Sequence, residues 1–417
     1  MILKTFFLPI LIAEVIPPFG NFTSSDGVTR ETYRIVKNID TDELDFVVMG
    51  DWGGLPAPHY TNNLQLNGAR ALMDYALENP PAFIIPLGDN FYYNGIESVR
   101  DRQWERTFEL VYDSQEMMVP WYPTLGNHDW AMLPEDTEGD RKGNGWAQIE
   151  YSAFGSGRWT FPDLFYTIEY KTADGTRVKV IMIETTSLTG IHSSKKPGPD
   201  RRDPNCENPY NKECELKRLY PLFPEIVNWA WEWIEYELKN SDDFDYLFAA
   251  GHYQILETGG IWDYELFRHL DPLFEQYNVQ AYFQGHRHTH EHATRSPKIQ
   301  PEGLDFELPG SVHYLTTGAG AHYDTETMLF EQYLGQDIPG RSGCHPKFEK
   351  QGNDMGEAIC YYYWANQNSS MQEDGGFVSV KISKEKAIVR MITSETYSEE
   401  NGRTIGHEFE ILPRINK

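Results

Sequence analysis

Four hydrophobic runs in this chain end in a glycine followed by a side chain able to bind a metal. Phe46 to Met49 leads to Gly50-Asp51, Phe83 to Leu87 to Gly88-Asp89, Tyr246 to Ala250 to Gly251-His252, and Val279 to Phe283 to Gly285-His286. Short apolar runs bounded by glycine read as buried strands, and layered α/β proteins present polar groups at the carboxyl ends of such strands. Three additions complete the set: Asn127 in Gly126-Asn127-His128-Asp129, Tyr92 in Gly88-Asp89-Asn90-Phe91-Tyr92, and His288 two residues after His286. The candidate ligands are therefore Asp51, Asp89, Tyr92, Asn127, His252, His286 and His288, enough for two ions.

Around these motifs strand and helix alternate. Strands are expected at 44–49 and 82–87, with helices near 62–78 and 99–112, which is the grammar of βαβ units. Helical periodicity returns in 224–239, where Ile226, Trp229, Trp233, Ile234 and Glu237 share one face, and in 264–277. Late strands are expected at 312–316, 377–382 and 387–393, the last two joined by a turn at 383–386. The expected organisation is a leader over 1–20, a polar segment over 21–43, and one domain over 44–417 with loop insertions near 188–224 and 324–372. The first insertion is expected either to overhang the ligands as a lid or to be an inert surface loop.

The 417 residues carry a formal charge of −27 with a pI near 4.8, which argues against a nucleic-acid partner, because phosphate backbones are held by basic patches. A phosphate bound here would need metal. The apolar stretch from Thr5 to Ile16 after Lys4 reads as a secretory signal or, if uncleaved, an anchor; it is short for a membrane span. The sequons Asn21-Phe22-Thr23 and Asn368-Ser369-Ser370 agree with a secreted or lysosomal/vacuolar protein. Cys206, Cys214, Cys344 and Cys360 suggest two local disulfides, with two other connectivities open.

The donor set narrows the metals. Carboxylate oxygen, imidazole nitrogen and an amide oxygen together suit first-row transition ions. Tyr92 discriminates further: a phenol with an intrinsic pKa of about 10 ligates as phenolate beside a strongly Lewis-acidic ion, for which Fe(III) is the best candidate, leaving a divalent partner. Against two carboxylates, one phenolate and a bridging hydroxide, a ferric–divalent pair retains net positive charge and suits an anionic phosphate.

With GDWGG, GDNFYYNG, GNHDW, AGHY, GHRH, YLTTGAG and GGFVSV in order, the chain resembles the purple acid phosphatases, notably the small tartrate-resistant animal type. The resemblance implies a metallophosphoesterase-like β-sandwich flanked by helices, α/β/β/α, within the α/β class. It implies Fe(III) on Asp51, Asp89, Tyr92 and His288, a bridging Asp89, and Fe(II), Zn(II) or Mn(II) completed by Asn127, His252 and His286. The implied activity is acid hydrolysis of phosphate monoesters, small or on phosphoproteins, by a metal-bound hydroxide.

His128 then falls beside the substrate, as phosphate binder and proton donor to the leaving group. One departure stands out: relatives usually carry another histidine after the position of His252, whereas Tyr253 to Ile261 has none, and Glu257 there reads as a solvent-facing carboxylate more readily than as a stand-in acid. Tyr93 is expected to pack. His290 and His292 are expected as groups behind the ligands or on the surface, and His59, His192 and His345 on the surface. The competing readings are a related phosphodiesterase or nucleotide phosphatase, a non-catalytic scaffold, and an iron redox protein. GDWGG and GDNFY in place of GDxHG and GDxVDRG disfavour a protein phosphatase.

Overall fold

The computed structural model describes residues 16–130, 143–190, 222–257, 260–261, 263–295, 311–318, 320–321, 359–365, 376–393 and 404–414. The bulk of the leader, most of the expected lid, Cys206, Cys214, Cys344, His192, His345 and the Asn368 sequon lie outside these residues.

Two sheets form the body. In chain order the elements are β1 Gly20–Thr23, β2 Thr29–Asn38, β3 Leu44–Met49, α1 Asn63–Glu78, β4 Phe83–Pro86, α2 Gly145–Tyr151, β5 Phe165–Lys171, β6 Arg177–Ile183, α3 Thr185–Thr189 and α4 Pro224–Lys239. There follow β7 Tyr246–Gly251, the short pair β8 Leu256–Glu257 and β9 Gly260–Ile261, α5 Tyr264–Gln276, β10 Ala281–Gln284, β11 His290–Arg295, β12 His313–Thr317 and β13 Ile359–Ala365. β14 Gly376–Ile382, β15 Ala387–Thr393 and β16 Thr404–Ile411 end the chain. One sheet has the order β1-β2-β5-β6-β7-β10-β12-β11-β13; the other runs β16-β15-β14-β3-β4.

The sheets face each other through large apolar side chains. Phe46 of β3 approaches Phe248 of β7 at 6.2 Å and Phe283 of β10 at 6.1 Å between ring centroids, all three rings being buried. Burying each such ring stabilises the fold by roughly 1.5–3 kcal/mol. β3 pairs in parallel with β4, and β7 with β10, so both halves of the sandwich bring strand carboxyl ends to one edge. This parallelism places the candidate ligands together.

Helices cover the outer faces. Asn62 caps α1 by accepting from the Gln65 N–H, and Tyr75 of that helix meets Phe377 of β14 at 5.6 Å. In α4 a proline opens the first turn, and Ile226, Trp229, Ala230, Trp233, Ile234, Glu237 and Leu238 form the buried stripe. Trp229 and Trp233 both pack on Phe165 of β5 at 6.0 Å. Glu237 in this stripe is not stranded, because Lys179 donates to it at 2.8 Å and Arg34 at 3.0 Å. The architecture is the expected α/β/β/α.

Three expectations need correction. The polar segment 21–43 is not separate from the sandwich: β1 and β2 lie within it and extend the nine-stranded sheet, β2 pairing in parallel with β5. Its many charged residues hide the strand, since Arg34 finds its counter-ions in Glu237 and Glu169, both distant in sequence. Residues 359–365 of the second insertion form β13, paired with β11. The helix expected near 99–112 contracts to Trp104–Glu109, and Arg158 donates to the carbonyls of Glu109 and Tyr112 at and just past its end, which have no partner within the helix.

Candidate metal centre

Three of the ligand loops leave their strands through a backbone turn that few residue types tolerate. Asp51, Asp89 and His286 have φ of 55°, 49° and 66°, in the left-handed region where aspartate and histidine are among the better-tolerated side chains. Such residues cost of order 1–3 kcal/mol each and cluster at functional sites. Gly126 has a different reason for being glycine. A Cβ there would fall on Asp89 Oδ1 and within 2.7 Å of His252 Cε1, inside the cluster.

Four donor atoms converge at one end. The Tyr92 hydroxyl oxygen lies 3.1 Å from Asp51 Oδ1, Asp89 Oδ2 and His288 Nε2, and His288 Nε2 is 3.3 Å from Asp51 Oδ1. Donors spaced in this way match neighbours around one ion with bonds of about 2.1 Å. The single phenol proton can serve only one of the atoms around it, so a cation would relieve the mutual repulsion.

A second set shares Asp89. His252 donates through Nδ1 to the Leu87 carbonyl at 2.9 Å, which leaves a lone pair on Nε2. In the neutral ring that lone pair faces Asn127 Oδ1 at 3.1 Å and Asp89 Oδ1 at 3.5 Å, so that three acceptors would meet there. Asp89, His252 and His286 each offer an atom within 4.8 Å of the others, as do Asp51, Asp89 and His288. Asp89 thus turns Oδ2 to one group and Oδ1 to the other. The residues fit two adjacent cations.

Electrostatics agree. Burial, with the Asp51 and Asp89 charges, pushes the Tyr92 phenol well above its ordinary range, so it would become phenolate only beside a strongly positive centre. Burial pushes Asp51 up as well. Burial also acts to raise Asp89, but His252, His128 and the His128 backbone N–H outweigh it and leave Asp89 below its ordinary value.

His128 opens the 3-10 turn His128–Trp130 directly after Asn127. Its backbone N–H donates to Asp89 Oδ1 at 2.9 Å, and its ring Nδ1 donates to the Tyr93 carbonyl at 2.6 Å. The opposite nitrogen, Nε2, lies 3.9 Å from Asp89 Oδ2 on a side chain that is 19% exposed. It is the nitrogen available to an incoming molecule. Tyr93 itself is 40% exposed.

All eight residues singled out in the sequence converge at one edge of the sandwich. Others there gave less signal. Asn90, Asp129 and Gln148 are buried directly behind the loops. In the segment lacking a histidine, Gln254 is fully buried with neither amide atom hydrogen-bonded. His290 and His292 are buried in β11, not on the surface, while His59 is exposed.

The calcineurin-like phosphoesterase family model matches residues 44–290. Tartrate-resistant acid phosphatase type 5 of Oryctolagus cuniculus is 31% identical over 292 residues, covering 69% of this chain and 76% of that protein. Purple acid phosphatase 3 of Arabidopsis thaliana is 24% identical over 307 residues, 72% of this chain and 69% of the relative. Among solved structures, GAP50, the anchor in the inner membrane complex of Plasmodium, superposes with a TM-score of 0.57 at 19% identity over 90% of this chain and 91% of its own, a likeness of fold. The chain belongs to the calcineurin-like phosphoesterase family and is related within it to the tartrate-resistant and purple acid phosphatases.

Proposed function

We propose that the protein is an acid phosphatase that hydrolyses phosphate monoesters at a dinuclear Fe(III)–M(II) centre, M being Fe(II), Zn(II) or Mn(II). The observation that carries this reading is the pair of proton-poor donor groups sharing Asp89, with the open Nε2 of His128 beside them. Asp51, Asp89, Tyr92 and His288 would hold the ferric ion, and Asp89, Asn127, His252 and His286 the divalent one. When bound, the ions would activate water and offset the charge of the phosphate.

The chain's own residues supply the rest. The Tyr93 carbonyl fixes the His128 tautomer and aims Nε2 outward, where a protonated ring could bind a phosphate oxygen and pass its proton to the departing alkoxide. The Asp89 side chain takes the His128 backbone N–H, so acid and candidate ligand move as one unit. A secretory route follows from the apolar leader and the exposed Asn21 sequon in β1.

Metal analysis with a monoester and a diester assay across acid and neutral pH tests the proposal. Iron plus a second metal, with acid-optimal cleavage of p-nitrophenyl phosphate above that of bis-p-nitrophenyl phosphate, is expected. A preparation holding both metals yet inert toward monoesters would refute it and favour the scaffold reading.

A further inference from the structure

Behind the ligand loops lies a buried polar chain with every amide direction specified. Trp52, next to Asp51, donates from Nε1 to Asn90 Oδ1 at 2.9 Å; Asn90, next to Asp89, donates from Nδ2 to the Thr124 carbonyl at 2.8 Å and to Gln148 Oε1 at 3.0 Å. Gln148 Nε2 then donates to Asp129 Oδ1 at 2.7 Å. The Asp129 carboxylate also accepts the backbone N–H groups of Asn90 at 3.1 Å, Phe91 at 3.2 Å and Gly126 at 2.8 Å. Those donors come from the loops carrying Asp89 and Asn127.

We propose that Gln148, on α2, is a positioning residue that fixes the spacing of the Asp89 and Asn127 loops, and hence the separation of the two ion sites, by bridging Asn90 to Asp129. Both Asn90 Nδ2 protons are committed, so Gln148 must present its oxygen to Asn90 and its nitrogen to Asp129. No other common side chain of this length offers one acceptor and one donor at these two points. Tethering of Trp159 Nε1 to the Gln148 carbonyl at 3.0 Å keeps α2 in place, so the bridge has a rigid anchor. Buried networks of this kind lose orientation when one member is replaced.

The inference rests on the two-ion reading, and its test does not need turnover. Metal-free wild type, Gln148→Met and Gln148→Glu are titrated with zinc by calorimetry, and folding is checked by near-ultraviolet circular dichroism. Both variants are expected to bind zinc about 10- to 100-fold more weakly at one or both sites. Turnover of p-nitrophenyl phosphate should fall by a similar factor with little change in KM.

A folded variant with a lower melting temperature and wild-type zinc affinity overturns the proposal, since purely structural support would give that result. If Gln148→Met does not fold, Gln148→Glu carries the test, because it keeps the volume and the acceptor for Asn90 but sets a carboxylate against Asp129. Wild type that binds two zinc ions without hydrolysing phosphoesters would sink the phosphatase reading alone. Wild type that binds no zinc overturns this inference with it.

Discussion

The ring Nδ1 of His128 lies 2.6 Å from the carbonyl oxygen of Tyr93, the residue after the candidate ligand Tyr92. A carbonyl accepts and never donates, so the proton on Nδ1 is fixed and the chemistry of this histidine falls to Nε2. His128→Ala should lower kcat by about 10²- to 10⁴-fold on alkyl phosphates, whose leaving groups need a proton, and by less on p-nitrophenyl phosphate. Equal losses on both substrates would remove the acid role and leave only phosphate binding.

Tyr92 sets the identity of the first ion. Its phenol is buried between Asp51 and Asp89, an arrangement that opposes ionisation unless a trivalent cation offsets their charge. Iron-loaded wild type should therefore show a visible charge-transfer band that Tyr92→Phe lacks, with weaker iron retention on dialysis. A Tyr92→Phe protein of unchanged colour would show that another residue, Tyr93 foremost, is the phenolate.

Gly126 offers a sharper test of the second ion. Its φ lies outside the region reserved for glycine, so alanine meets no dihedral strain there. The new methyl would instead collide with Asp89 Oδ1, with the Asp89 backbone nitrogen at 2.5 Å and with His252 Cε1 at 2.7 Å, forcing the Asp89 loop to shift. Gly126→Ala should fold, lose at least one metal equivalent by elemental analysis, and lose activity in proportion. Two bound metals at wild-type affinity would mean that the Asn127 and His252 side chains are not ligands.

How much of this was legible in the chain depends on how local the signal is. Helix α4 was readable because its signals lie within Pro224–Lys239: a proline at the start, an i, i+3, i+4 stripe, and a lysine at the end. The ligand motifs were readable because glycine and ligand are adjacent in sequence. β2 was hidden because its charges are neutralised from a distance, Arg34 by Glu237 and Arg30 by Asp163. Gln148 gave no sign at all, its two partners being Asn90 and Asp129. For His290 and His292 the surface alternative fails because a histidine run after GHRH reads as polar, whereas the fold draws it into β11, buried within the nine-stranded sheet.

His292 has a consequence for stability. Its ring bridges His407 and His313, with Nδ1 2.9 Å from His407 Nε2 and Nε2 2.8 Å from His313 Nδ1, and it stacks on Phe409 at 4.0 Å. The three rings form one hydrogen-bonded chain, which joins β16 of one sheet to β11 and β12 of the other. Burial drives His313 down to about 4 and His292 well below its ordinary value. Unfolded histidines titrate near ~6.5, so below that pH the unfolded chain takes up more protons, and stability is lost as pH falls from about 6.5 toward 4. Asp45, raised by burial to about 7, contributes in the opposite direction, so the test must compare variants at matched pH. His313→Gln keeps an acceptor for His292 but cannot titrate. Between pH 7 and 4 the metal-free wild type should lose on the order of 3 kcal/mol more stability than this variant, a relative shift of a few degrees in Tm. Parallel melting curves across that range would show that these histidines do not govern the acid sensitivity of the sandwich.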